Sequence, residues 1–165
     1  GVPGRAPIRT SDVKSDAYLR FLVDELKPFI GAQIRTLAGP GDTVVMGSSM
    51  GGIISLYAAA EYPAVFGGVG AVSTHWPAGD GAVIDYLART MPDPRTHRIW
   101  MDSGTATLDS SYEAYQPRAD SLFRARGYRG GVNFSTKVYE GAAHDERSWR
   151  VRVAEPLVFL LGRQR

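Results

Sequence analysis

Thr43-Val44-Val45-Met46 is a short β-branched run. Gly47-Ser48-Ser49-Met50-Gly51 then bends the chain, and Met50 to Glu61 sets Ile53, Ile54, Tyr57 and Ala58 on one helical face. A strand that feeds a helix through so tight a bend has few folds open to it, because the helix must carry the chain back before the next strand can pair in parallel. The alternation recurs downstream. Val69 to Ser73 is strand-like and Ala82 to Arg89 helix-like; Arg98 to Met101 is a short strand and Ala119 to Arg126 a helix with Gly127 as its stop; Asn133 to Tyr139 is β-rich. Trp149, Val153, Leu157 and Leu160 lie on one closing helical stripe despite Pro156. Strands alternating with helices predict an α/β fold: about four parallel strands with helices on both faces, a three-layer sandwich.

Ahead of this region, Gly1 to about Lys14 is rich in Gly, Pro and Arg and reads as an arm or loop. From Ser15, residues Tyr18, Leu22, Leu26, Phe29 and Ile30 recur at helical spacing, with Pro28 expected to kink or interrupt the helix. Tyr62-Pro63 should end the helix that follows the bend, and Gly39-Pro40-Gly41 is the turn before the first strand. At 165 residues with no repeat or low-complexity tract, one domain spanning 1–165 is expected.

Composition removes several functions. There is no cysteine, so thiolate metal sites, disulfides and cysteine nucleophiles are excluded together, and either redox compartment is compatible with the chain. Three well-separated histidines disfavour a metal site, and no metal or cofactor is expected. The net charge is only +2, and the basic residues are spread along the chain without interleaved aromatics, so nucleic acid is not an expected partner. No apolar run approaches the roughly 20 residues that span a bilayer, and Gly1 to Thr10 lack the order of a signal peptide. The first residue is not methionine, which suggests processing or excision from something longer.

The chemistry centres on the bend. Gly47-Ser48-Ser49-Met50-Gly51 fits G-x-S-x-G between a strand and a helix, the setting of a nucleophile elbow. Ser49 would be the nucleophile, and the Met50 amide at the helix start would face a developing oxyanion. A serine nucleophile needs a base. His144 follows the last strand in the small-residue loop Glu140-Gly141-Ala142-Ala143-His144, whereas His97 precedes a strand, at the wrong end for catalysis. An orienting carboxylate is expected after the preceding strand. Asp109 is the choice, far enough past the strand to reach His144; Asp102, almost at the strand terminus, is the competitor, with capping of the Gly104 turn as its other role. Asp120 falls within a helix and is expected to be solvated. The order serine, acid, histidine differs from that of chymotrypsin and subtilisin and is the order of α/β-hydrolases.

Tyr18 to Ile30, Met46-Gly-Ser-Ser-Met-Gly-Gly52, Tyr62-Pro-Ala-Val-Phe66, Ser73-Thr-His-Trp-Pro77, Asp102-Ser-Gly-Thr105 with Leu108-Asp109, and His144 with Trp149 resemble the putative-esterase family of α/β-hydrolases, similar in fold to esterase D, feruloyl and enterochelin esterases and mycolyltransferases. The likeness runs from about Tyr18 to Leu161. It implies a partial α/β-hydrolase-like fold and a serine esterase working through an acyl-enzyme on a small-molecule ester, with Ser49, Asp109 and His144 at the catalytic positions and His75 and Trp76 lining a substrate pocket. One loop and one helix precede Ser49, so the likeness reaches only the second half of that fold. The strand through Val44 and Val45 should then form an edge, and such edges seek partners, here in a homo-oligomer. Two other readings follow: a catalytically weak truncated fold serving as a binding module, or an acyltransferase with a sugar or alcohol acceptor.

Overall fold

The computed structural model describes residues 14–162. The chain divides into two compact units, residues 1–36 and 37–165. The arm expected over 1–14 lies, apart from Lys14, outside the described residues.

In the first unit a helix starts at Ser15 and changes its winding twice: α1 (Ser15–Arg20), a π-helical stretch (Phe21–Leu26) and α2 (Lys27–Gln33). Pro28 falls in the first turn of α2. A proline inside a helix removes one N–H and crowds the carbonyl four residues back. The wider winding immediately before Pro28 accommodates both effects. Proline therefore alters the helix without interrupting it.

The second unit contains β1 (Val44–Ser48), α3 (Met50–Glu61), β2 (Gly68–Val72), α4 (Ala82–Thr90), β3 (Arg98–Gly104), α5 (Gln116–Ala125), β4 (Phe134–Tyr139), α6 (Glu146–Arg152) and α7 (Ala154–Leu161), with short 3-10 turns between some of them. The four strands form one parallel sheet in the order β1-β2-β3-β4. The expected architecture is therefore present, with local differences that have identifiable causes. Strand β3 continues three residues beyond Met101. Helix α5 begins at Gln116 because Pro117 suits a first helical turn. The closing stripe is split into α6 and α7: Pro156 cannot donate to the carbonyl of Arg152, and the break falls at Val153.

Alternate residues of each strand face opposite layers. Phe134 stacks on Phe123 of α5, with ring centroids 5.4 Å apart, while Trp100 meets Phe159 of α7 at 5.8 Å. Strand β2 is fully buried and built from Gly68, Val69, Gly70, Ala71 and Val72. Glycine is needed at position 70, where a Cβ would lie 2.3 Å from the Met46 side chain of β1. The register pairs Ser48 with Val72 and Val72 with Asp102, so the chain leaves β1 and β2 at one level of the sheet. Parallel sheets gather ligand-binding loops at this carboxyl end. No helix among the described residues is long and apolar enough to cross a membrane.

Candidate active site

Ser49 occupies the bend between β1 and α3 with φ 59° and ψ −121°. A non-glycine residue there is strained and must be held by its surroundings. Its N–H donates to the Val72 carbonyl at 2.9 Å, and its carbonyl accepts from Gly52 at 3.0 Å and His75 at 3.2 Å. The two glycines of the motif serve different ends. A Cβ on Gly47 would lie 2.6 Å from the Gly51 carbonyl oxygen, so position 47 must be glycine; one on Gly51 would meet nothing within 4 Å. Gly52 is the other close approach, its notional Cβ lying 2.4 Å from Thr74 Oγ1. Met50 is the first residue of α3, so its N–H has no intrahelical acceptor.

Ser49 Oγ lies 2.9 Å from His144 Nε2, although 95 residues separate them in the chain. The other ring nitrogen, Nδ1, is 2.5 Å from Asp109 Oδ1. The loops carrying these two residues are fastened together. Thr105 N–H and Ala106 N–H both donate to the Ala142 carbonyl, Gly141 N–H donates to Thr105 Oγ1 at 2.8 Å, and His144 N–H donates to Thr107 Oγ1 at 2.8 Å. Gly104 makes the approach possible, since a Cβ there would be 2.0 Å from the Ala142 oxygen. Behind His144, Asp145 caps α6 by accepting from Ser148 N–H at 2.8 Å. That bond and the Ser148 hydroxyl hold the Asp145 carboxyl below its ordinary value.

The imidazole of His144 stands edge-on between Trp149, at 5.0 Å between centroids, and Tyr112, at 5.8 Å. Tyr112 is fully buried, and its hydroxyl lies 3.0 Å from His75 Nδ1 and 3.4 Å from His144 Nδ1. Burial, and after it the negative charge of Asp109, pushes the Tyr112 phenol well above its ordinary value, so it remains protonated. His75 is held down by burial and then by His144, which keeps it neutral. The pair expected to line a pocket thus divides: His75 is half-buried beside Tyr112, whereas Trp76 is fully buried and donates its indole N–H to Gln116 Oε1 at 2.7 Å.

The competing carboxylates have other partners. Asp102 does not cap the Gly104 turn; Asp109 Oδ2 accepts that N–H, at 2.5 Å. Asp102 is buried on the α6 side, accepting from Trp100 Nε1 at 2.7 Å and from Arg152 Nη2 at 2.8 Å. Burial raises its carboxyl, against the pull of Trp100 and Arg152. Asp120, expected in solvent, is half-buried and ties α5 to β4, accepting from Gln116 Nε2 and Thr136 Oγ1 at 3.0 Å each. His97 is buried and its ring nitrogens contact the carbonyls of Pro63 and Asp93, at 3.1 Å each.

Ser73, Tyr112 and Arg152 were not singled out by the sequence. Ser73 did carry a signal, as the residue directly beyond a parallel strand. Among the described residues no group of three or more metal-ligating side chains is arranged to hold an ion.

The family model described as "Putative esterase" matches residues 3–160. A curated relative, "Uncharacterized protein YbbA" of Bacillus subtilis (strain 168), is 27% identical over 88 residues, covering 53% of this chain and 34% of that protein. The enterobactin esterase FES from Shigella flexneri superposes with a TM-score of 0.68 at 22% identity, over 89% of this chain and 38% of that one. The ferric enterobactin esterase of Salmonella typhimurium gives 0.67 at 26% identity, over 89% and 37%. A ferulic acid esterase gives 0.68 at 18% identity, over 87% and 61%. The chain spans about a third of the curated relative and under two thirds of each of these structures. With the family model covering nearly its whole length, the chain belongs to the putative-esterase family, on an α/β-hydrolase-like fold of which it represents a part.

Proposed function

We propose that the protein is a serine esterase hydrolysing small carboxylic esters through an acyl-enzyme. The observation that carries this reading is the unbroken run of contacts from Ser49 Oγ to His144 Nε2 at 2.9 Å and from His144 Nδ1 to Asp109 at 2.5 Å. Family membership supports it.

Ser49 Oγ bonds to the ester carbonyl carbon while its proton passes to His144 Nε2. Asp109 keeps the Nδ1 proton in place, so Nε2 is the basic nitrogen, and it stabilises the imidazolium once formed. The carbonyl π electrons move onto oxygen, where the Met50 N–H at the positive end of α3 faces them. On collapse the alcohol C–O bond breaks and the departing oxygen takes the proton from Nε2. Water then attacks the acyl-serine while His144 accepts its proton; the acyl C–Oγ bond breaks and Ser49 Oγ takes that proton back, which releases the free acid. No step calls for a metal or cofactor, because the serine is activated by its neighbour.

Incubation with a fluorophosphonate, followed by peptide mapping, tests the assignment. One label per chain on Ser49, with turnover of p-nitrophenyl acetate, is the expected result; an inert Ser49 overturns it and leaves the binding-module reading. Product analysis with added alcohol separates hydrolysis from acyl transfer.

One observation favours a protein partner as well. Among the described residues β1 has a paired strand on one side only, and its segment Val44-Val45-Met46-Gly47-Ser48 carries no charge. Such an edge is suited to pairing with another strand. Self-association through β1, read by sedimentation across a concentration series, is the corresponding proposal; a monomer throughout the series overturns it.

A further inference from the structure

Beyond the end of β2 lies a second strained serine. Ser73 has φ 41° and is fully buried. Its N–H donates to the Asp102 carbonyl at 2.8 Å. Its hydroxyl oxygen has three polar neighbours from three parts of the chain: Asp109 Oδ2 at 2.5 Å, Arg152 Nη2 at 2.8 Å and Trp149 Nε1 at 3.0 Å.

The chemistry of these neighbours fixes the direction of the hydroxyl proton. A guanidinium N–H and an indole N–H can only donate, and together they occupy both lone pairs of the hydroxyl. The single hydroxyl proton must then go to Asp109 Oδ2. That oxygen also receives the Gly104 N–H, while Oδ1 faces His144. Arg152 completes the arrangement by pairing with Asp102, so its charge stands between two buried carboxylates: one it contacts, the other it reaches through Ser73.

We infer that Ser73 is a positioning residue, its proton directed by Arg152 and Trp149, which fixes the Asp109 carboxylate and moderates the charge that Asp109 presents to His144. The inference rests on the triad reading above. Three donors on one carboxylate hold its plane and take up part of its charge. Without Ser73, Asp109 would have lost one donor and would be freer to rotate, and its undiluted charge would favour the imidazolium. Protonated His144 cannot accept the Ser49 proton, so the acid limb of activity should rise.

The titratable and charged groups around Asp109 are His144 with Tyr112 and His75 on the Ser49 side and Arg152 with Asp102 across Ser73. Glu113, Asp120 and Glu140 surround an adjoining cavity of about 380 Å³.

The test compares Ser73→Gly, Arg152→Met and Arg152→Lys with the unsubstituted full chain, normalising p-nitrophenyl acetate turnover to the fraction of Ser49 that a fluorophosphonate labels. Glycine suits the positive φ at position 73, so Ser73→Gly removes the hydroxyl while relieving strain. The expected result for Ser73→Gly is a kcat per labelled site lower by about 10-fold, with the acid limb about half a pH unit higher. Arg152→Met should move the limb the same way and Arg152→Lys should restore it, because an ammonium also donates and keeps the charge. A role confined to packing would reduce the labelled fraction and leave both the kcat per site and the limb where they were; that outcome overturns the inference. If Ser73→Gly yields no folded protein, the Arg152→Met and Arg152→Lys pair decides: equal limbs overturn the inference. Failure of the unsubstituted chain to label at Ser49 is a different result, and it removes the esterase reading itself.

Discussion

The two outer strands of the sheet are made of different material. Strand β4 carries Lys137, which pairs with Glu155 and lies 5.4 Å from the centroid of the Trp100 ring. A charge in the middle of an outer strand discourages further pairing. Strand β1 carries Val44, Val45, Met46, Gly47 and Ser48 and is half-buried along its whole length, with the composition of an interior strand. Yet each outer strand leads to one partner in the Ser49–His144 contact. His144 follows an edge finished as an edge, and Ser49 follows one that is not. The contact between them is held by the interior strands, through the bond from Ser49 N–H to Val72 and the loop after β3.

The largest effects should treat the two edges alike. Ser49→Ala and His144→Ala are each expected to lower kcat for p-nitrophenyl acetate by about 10⁴-fold or more, and the double variant should be little worse, because the groups act as a unit. Additive losses would break that equivalence.

Next come the two buried carboxylates contributed by the middle of the sheet. Asp109→Asn is expected to lower kcat by about 10³- to 10⁴-fold, since it disturbs the imidazole tautomer. Asp102→Asn should leave the chemistry nearer intact and instead reduce stability by about 3 kcal/mol, as Arg152 loses its buried counter-charge. Steady-state kinetics and denaturant unfolding separate the two, and reversed results would exchange their roles.

The asymmetry can be sharpened within the motif at the end of β1. Gly47→Ala drives a methyl into the Gly51 backbone and should cost about 3 kcal/mol by thermal unfolding. Gly51→Ala meets open space inside a helix and should stabilise by about 0.5 to 1 kcal/mol. Gly141→Ala, after β4, meets no atom but must hold φ 74°, at a cost of about 1 kcal/mol. The smallest effects concern the edges directly. Val45→Lys should weaken self-association in sedimentation, and Lys137→Val should strengthen it, by about tenfold or less in the association constant.

Much of the sheet was legible because its signals are local. The run before Gly47 and the helix after it each lie within a few residues of the bend, and Tyr62-Pro63 ends α3 where expected. His144 could be placed because a parallel sheet sends every strand's exit to one end. The distinction between Asp109 and Asp102 was harder: β3 runs on through Asp102 to Gly104, and which carboxylate meets His144 depends on hydrogen bonds between the loops after β3 and β4, which no spacing records. Trp76 carried a rim-like position yet turns inward, because Gln116, 40 residues on, supplies an acceptor for its indole. Arg152 gave no hint at all. It lies beside Val153 on an apolar stripe, and only the meeting of Asp102, Ser73 and Tyr139 around its guanidinium reveals why a cation belongs there.

Thr105 and Thr107 hook the segment after β3 onto the segment after β4 at four points, using side-chain oxygens as well as backbone. Asp109 and His144 therefore belong to one cassette. Grafting the His144 segment alone into another scaffold would bring an imidazole with nothing to steer it, whereas transplanting both segments would carry the working angle with them.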